Sequence, residues 1–195
     1  MRNVLTLEAP AERDILAEVH VRKASMRDIH ALLELINGYA AQGIMLPRTE
    51  FEMSENIRDF MLAFSGDQLV GCGALHFYTP TSGEVRSLAV NPDVKSRGVG
   101  RAIIDKLEGE ARDCGLHSIF AFTYATGFFE KVGFEIVERG ELPLKAWKDC
   151  LRCPKFSCCD ETAVIKYLVE HPVHHREPGN ALPPGLIHLP VPKHA

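Results

Sequence analysis

The sequence predicts a mixed α/β domain in which helices flank a mostly antiparallel sheet. Three observations lead there. Strand-like runs alternate with apolar stripes at helical spacing over residues 20–170. Two of the runs, Phe60–Phe64 and Gln68–Tyr78, are separated by Ser65-Gly66-Asp67, a hairpin signal that makes them antiparallel neighbours. A third run, Gly83–Val90, passes through a glycine-bearing cationic loop into a strong helical pattern over Val99–Cys114.

Taken in order, Val21–Ser25 is a short strand entering a helix. Ser25 is a good N-cap, with Asp28 three residues on. Ile29, Leu32, Leu33 and Ile36 form that helix's apolar stripe, and Gly43 and Pro47 break the pattern. Thr49 caps the next segment, Glu50–Asp59, and the hairpin follows. After Gly83–Val90, the residues Val99, Ile103, Leu107 and Ala111 lie on one face of a helix. Ser118–Tyr124 is a strand, Gly127–Gly133 a short helix, Phe134–Gly140 a strand and Thr162–Val169 the last strand. Residues 1–19 are a charged extension. Residues 171–195 are rich in proline and histidine and are expected to be a disordered tail. The tail histidines would also suit a metal, but a floppy segment is the blander reading.

The totals bound the function. With 46% hydrophobic and 25% charged residues in 195, the chain can bury a real core. A net charge of −4 argues against nucleic acid as the main partner, because phosphate binding needs a basic surface. No apolar run approaches the roughly 18 residues of a membrane span. The first residues lack the apolar core of a signal peptide, so a cytoplasmic location is expected.

The loop "VKSRGVGRA" at Val94–Ala102 carries glycines at Gly98 and Gly100 and cations at Lys95, Arg97 and Arg101, without an acid. A helix's first amides lack internal partners, and the macrodipole adds positive charge there. The arrangement therefore fits an anion at a helix N-terminus; a glycine turn with solvated charges is the alternative. No Gly-Lys-Ser/Thr triplet or spaced glycine trio is present to make it a nucleotide-binding fingerprint.

The flanks are more specific. "EVRSLAVNPDVKSRGVGRAIIDKLEGEA" resembles the acetyl-CoA signature of the GNAT superfamily of N-acetyltransferases, and "FFEKVGFEIV" resembles its second signature. The resemblance covers residues 20–170 and implies the GNAT fold, with a central strand splayed from its neighbour. It implies that Leu88, Ala89 and Val90 pair with the pantetheine arm of acetyl-CoA. It also implies that Lys95, Ser96, Arg97, Gly98, Val99, Gly100 and Arg101 hold the pyrophosphate. The family usually has arginine or glutamine at the Lys95 position and glycine at the Ser96 position. Lysine keeps the charge but loses the fork geometry.

Two further stretches, "LLELINGYAAQGIMLPRTEFEMSENIRDF" and "LPLKAWKDCLRCPKFSCCDE", resemble the short stand-alone bacterial N-acetylglutamate synthases. That resemblance implies acetyl transfer to the α-amino group of L-glutamate, the first step of arginine biosynthesis. A dicarboxylate needs cationic clamps, and Arg48 and Arg86 are the candidates. Glu84 is the candidate general base, and the Val90 N–H the candidate oxyanion donor. The family's tyrosine that protonates the leaving thiolate is replaced by Phe129, which leaves Tyr124 as the substitute acid. Other acceptors (glutamine, a polyamine, a protein amine) and a non-catalytic acetyl-CoA sensor remain as alternatives. Edge-strand pairing makes a homodimer plausible.

Six cysteines are present. Cys150, Cys153, Cys158 and Cys159 crowd one loop, with Trp147 expected to pack beside it. Cys150, Cys153 and Cys159 could ligate zinc, but half of a zinc-ribbon spacing is present, and a metal-free structural role is preferred. A redox switch is a third reading. Cys72, between two glycines, and Cys114, near a helix end, are expected in the core.

Overall fold

The computed structural model describes residues 19–95, 97–142, 153, 155 and 158–170. The strands are β1 (Val19–Lys23), β2 (Phe60–Ser65), β3 (Gln68–Thr79), β4 (Ser82–Val90), β5 (Ser118–Thr123), β6 (Glu135–Ile136) and β7 (Thr162–Tyr167). The helices are α1 (Ile29–Ala40), α2 (Glu50–Asn56), α3 (Val99–Asp113) and α4 (Thr126–Lys131). Among the described residues these strands make one sheet in the order β1-β2-β3-β4-β5-β7-β6. Each neighbouring pair is antiparallel except β4 and β5, which run parallel.

The helices start where the sequence supplies caps. Asp28 accepts hydrogen bonds from both the backbone amide and the hydroxyl of Ser25, each at 2.8 Å. A single 3-10 turn, Met26–Asp28, then leads into α1. At α2, Thr49 Oγ1 accepts from the Glu52 amide while the Glu52 carboxylate accepts from the Thr49 amide, a reciprocal capping box.

Each face of the sheet is covered. On one side α3 lays Val99, Ile103, Ile104, Leu107 and Ala111 against Leu75, Val85 and Ile119. On the other, Leu32 and Ile36 of α1 and Met53 of α2 pack against Leu62, Cys72 and Ala74. The close seat of α3 on β3 depends on a missing side chain: a Cβ on Gly73 would lie 2.9 Å from Ile103. Cys72, one residue earlier, points to the opposite face and is fully buried, as expected; burial pushes its thiol up to about 12.

One irregularity shapes the site. Cys72 pairs with Ala89 but Ala74 pairs with Arg86, so β4 carries one extra residue there. Ser87 absorbs it with a φ of 52°, in the left-handed region. Such a bulge bends its strand and re-aims side chains. Pairing between β4 and β5 ends at Glu84 and Phe120, although both strands run on. Beyond that point the two strands part.

Two expectations need correction. Phe134–Gly140 was expected as a strand, but only Glu135–Ile136 pairs with β7, and Arg139–Glu141 forms a 3-10 turn. The Glu141 carboxylate captures the Glu138 amide at 3.0 Å, and Arg139 donates to the carbonyls of Cys159 and Glu161. These contacts draw the chain out of the ladder. Cys114 is exposed rather than buried, because it follows the last turn of α3 where Gly115, at φ 75°, reverses the chain. The residues 1–18 and 171–195, Trp147 and Cys150 lie outside the described residues.

Candidate active site

The parting of β4 from β5 opens a cleft of about 430 Å³. Its walls come from four places: the α1–α2 loop up to Arg48, the Glu84–Leu88 stretch of β4, the end of β5 with α4, and the loop carrying Cys153, Lys155, Cys159 and Glu161. The sequence candidates Glu84, Arg86, Arg48, Leu88 and Tyr124 thus share one cavity.

Alternation along β4 sends Val85 toward α3 and leaves Glu84 and Arg86 on the opposite face. Glu84 is only 9% exposed. The Arg86 guanidinium donates to Asn56 Oδ1 at 3.2 Å and lies 3.7 Å from Asp59 Oδ2. Arg48 reaches the cleft from a loop whose backbone is pinned by Asn37 of α1.

The glycine loop is positioned at the N-terminus of α3. Gly98, the residue before the helix, has φ 83°, a conformation that L side chains rarely adopt. Gly100 has a packing reason as well: a Cβ there would lie 3.1 Å from the Phe128 ring. The cations are not equivalent. Lys95 Nζ sits 5.1 Å from the centre of the Tyr39 ring, whose hydroxyl donates to the Val90 carbonyl at 2.6 Å. Arg101 donates to the Lys131 carbonyl at the end of α4, at 2.7 Å. Arg97 is exposed, and Val99 is buried in the core. Ser96 lies outside the described residues.

At the far end of the cleft Phe129 is buried and meets Phe134 edge-to-face, with centroids 5.0 Å apart. The Tyr124 hydroxyl donates to Asp160 at 2.7 Å and accepts from Lys155 at 3.0 Å. Burial, with the neighbouring acids, holds the Tyr124 hydroxyl above its ordinary pKa despite Lys155. Cys153 and Cys159 line the cleft. Among the described residues no group of three or more His, Cys, Asp or Glu side chains is arranged to hold a metal ion.

Sequence reasoning missed Asn37, Arg139, Lys155, Asp160 and Glu161. Burial pushes the Glu161 carboxyl above its ordinary range, against the lowering effect of the Cys159 thiol, 3.7 Å away. The signal that was available was the charged run after the thiols, "CCDE", which ends where β7 begins.

A β4 strand freed from its parallel neighbour, leading through a left-handed glycine to the start of a long helix, fits a pantetheine arm and a pyrophosphate. The freed strand edge matches an amide-bearing chain, and the helix start matches an anion. These features define the class of acyl-CoA-dependent transferases. The family model described as Acetyltransferase (GNAT) family matches residues 26–134, and the chain belongs to that family. It is an acetyl-CoA-dependent acyltransferase.

Relatives narrow the comparison. An uncharacterized N-acetyltransferase of Chlorobaculum tepidum is 40% identical over 78% of this chain and 98% of that protein. An amino-acid acetyltransferase of Mycobacterium tuberculosis is 37% identical over 60% of this chain and 69% of that protein. An amino-acid acetyltransferase of Pseudomonas putida is 34% identical, but the chain spans only 27% of its length. Among solved structures, N-acetylglutamate synthase from Neisseria gonorrhoeae, complexed with coenzyme A and N-acetyl-glutamate, superposes with a TM-score of 0.70. It is 28% identical over 77% of this chain and 35% of that one. A Mycobacterium tuberculosis protein in complex with CoA gives a TM-score of 0.67 at 29% identity, over 77% of this chain and 99% of that one. Among the described residues no helix is long and apolar enough to cross a membrane.

Proposed function

We propose that the protein is an amino-acid N-acetyltransferase whose acceptor is the α-amino group of L-glutamate. The observation that carries this reading is the meeting of Arg48, Arg86 and buried Glu84 in one cleft beside the parted strands. Two arginines on one cavity suit a dicarboxylate, which they bind by paired, directional hydrogen bonds. The names of the Mycobacterium and Pseudomonas relatives, and of the Neisseria synthase, support the same class.

Acetyl-CoA supplies the activated thioester. The chain's own residues do the rest. Leu88, Ala89 and Val90 offer the freed strand edge, and Lys95, Arg97, Gly98 and the first α3 amides hold phosphate. Arg48 and Arg86 orient the acceptor. Glu84 takes a proton from its ammonium, since only a neutral amine attacks, and the Val90 N–H donates to the carbonyl oxygen under attack. Tyr124, which lines the cleft, returns a proton to the leaving thiolate once its O–H turns away from Asp160. Positioning both reactants in one cleft supplies much of the rate.

A second acceptor, glutamine, is favoured by one observation. Glu161 puts a carboxyl into the same cleft, and an amide N–H₂ would donate to it where a carboxylate would be repelled. The test is CoA release from acetyl-CoA with glutamate, glutamine and the other common amino acids, and with polyamines. Release with glutamate and its loss in Glu84→Gln, with acetyl-CoA binding retained, supports the reading. Saturable acetyl-CoA binding without turnover on any amine would sink it and leave a sensor.

A further inference from the structure

Glu84 is nearly buried, so a proton it accepts needs a way out. The residue directly opposite it across the β3–β4 ladder is His76. Directly opposed residues project from the same face of a sheet, with Cβ atoms roughly 4.5–5.5 Å apart. His76 is held in turn: its Nδ1 lies 2.7 Å from Asp59 Oδ2. An imidazole donating Nδ1–H to a carboxylate keeps Nε2 as its acceptor. His76 and Asp59 side chains are 25% and 26% exposed, whereas Glu84 is 9% exposed. Neither of the two lines the acceptor cleft.

We propose that His76, oriented by Asp59, is the proton outlet of Glu84. The inference rests on Glu84 acting as the base. The Glu84 O–H bond formed on deprotonating the acceptor breaks, and its proton goes to His76 Nε2, directly or through one water. Glu84 returns to carboxylate, and the imidazolium, stabilised by Asp59, releases the proton to solvent, which reaches the partly exposed His76 side chain. No oxidant or further reactant is needed. The groups facing His76 are consistent with this. Glu84 and Arg86 come from β4, and Asp59 from the 3-10 turn Ile57–Asp59. Tyr78, on its own strand, meets the imidazole edge-on, with ring centroids 5.2 Å apart. Arg86, 3.7 Å from Asp59, balances that carboxylate and keeps the dyad from carrying a net negative charge into the sheet. His76 does not touch the acceptor in this scheme, so it is a positioning and relay residue.

The experiment compares wild type, His76→Gln, His76→Ala and Asp59→Asn, assayed with acetyl-CoA and glutamate from mildly acidic to mildly alkaline pH. His76→Gln is expected to lose about tenfold or more in kcat, with both KM values within about twofold. Its kcat profile loses the inflection of an imidazole. Added imidazole restores part of the rate in His76→Ala, which a purely structural role would not produce. Asp59→Asn keeps the ring but loses the carboxylate that orients it, so its kcat should fall as well while both KM values hold. Melting curves show which variants are folded. Should the His76 variants not fold, the Asp59→Asn kcat decides. An unshifted profile in folded variants, with wild-type kcat and no imidazole rescue, overturns the outlet while leaving the acceptor reading intact. A wild type that turns over no amine overturns both.

Discussion

The side-chain amide of Asn37 holds the backbone of Arg48 from both sides. Its Nδ2 donates to the Arg48 carbonyl at 3.0 Å, and its Oδ1 accepts the Arg48 amide at 2.9 Å. Helix α1 thereby fixes where the arginine enters the cleft.

Removing that hold should act on the acceptor alone. Asn37→Ala loses two partly buried hydrogen bonds, worth about 1–2 kcal/mol together. Steady-state kinetics should show the glutamate KM rising about tenfold, with the acetyl-CoA KM and kcat little changed. Asn37→Asp keeps the acceptor but sets a second carboxylate oxygen against the Arg48 carbonyl, so it should be no milder than Asn37→Ala. An equal rise in both KM values would mean that Asn37 only stabilises α1.

The glycine loop proposed to hold the pyrophosphate makes the reciprocal prediction. Gly98 sits at φ 83°, where a Cβ costs roughly 1–2 kcal/mol. Gly98→Ala should therefore tilt the loop away from its present course. The acetyl-CoA KM should rise while the glutamate KM holds, and the melting temperature should drop by about 2–8 °C. A change confined to the melting temperature would show that the loop's left-handed turn serves the fold and not the phosphates.

Much of this was legible in the sequence, and the exceptions have physical causes. Ile29, Leu32 and Ile36 are buried because a 3.6-residue period faces them to one sheet. The hairpin residues Ser65-Gly66-Asp67 place β2 beside β3 as a two-residue-period pattern requires. Ser87 gave no warning: a serine inside a strand pattern carries no sign of a positive φ, which the register between β3 and β4 imposes. The Lys155 and Asp160 contacts with Tyr124 were hidden for another reason. They exist because Thr123 at the end of β5 pairs with Thr162 at the start of β7, 39 positions away in the chain. Pairing between distant segments is what a local pattern cannot report.

The fold should also show one well-defined acid-sensitive contact. Asp28 receives a bidentate pair from the Arg22 guanidinium, at 2.8 and 2.9 Å, as well as the two bonds from Ser25. The Arg22 bond holds the Asp28 carboxyl well below the usual carboxylate range, and burial opposes it. A carboxyl depressed in the folded state adds stability above its unfolded pKa and loses it as pH falls toward the folded value. Asp28→Asn should therefore cost about 1–2 kcal/mol at neutral pH. The gap between variant and wild type should narrow steadily below the ordinary carboxylate range. Urea melts at a series of pH values measure it, and a gap independent of pH would show that ionisation of Asp28 does not contribute to it.

The last prediction concerns Tyr124, whose hydroxyl is held between Lys155 and Asp160. As it stands, the O–H points at Asp160, not into the cleft. To protonate a leaving thiolate it must rotate about its C–O bond. Lys155, 44% exposed, then replaces the proton from solvent. If Tyr124 is that acid, Tyr124→Phe lowers kcat about tenfold or more with acetyl-CoA KM unchanged. Lys155→Met should lower kcat as well, because the proton on Tyr124 is no longer renewed. Asp160→Asn should have the smallest effect, since a neutral amide oxygen still orients the hydroxyl but holds it less tightly. A thioester with a more acidic thiol leaving group separates chemistry from packing. Its turnover should be far less sensitive to Tyr124→Phe than that of acetyl-CoA, because a better leaving group needs no acid. Equal sensitivity of the two thioesters would assign Tyr124, Lys155 and Asp160 to docking the cysteine-bearing loop over the cleft.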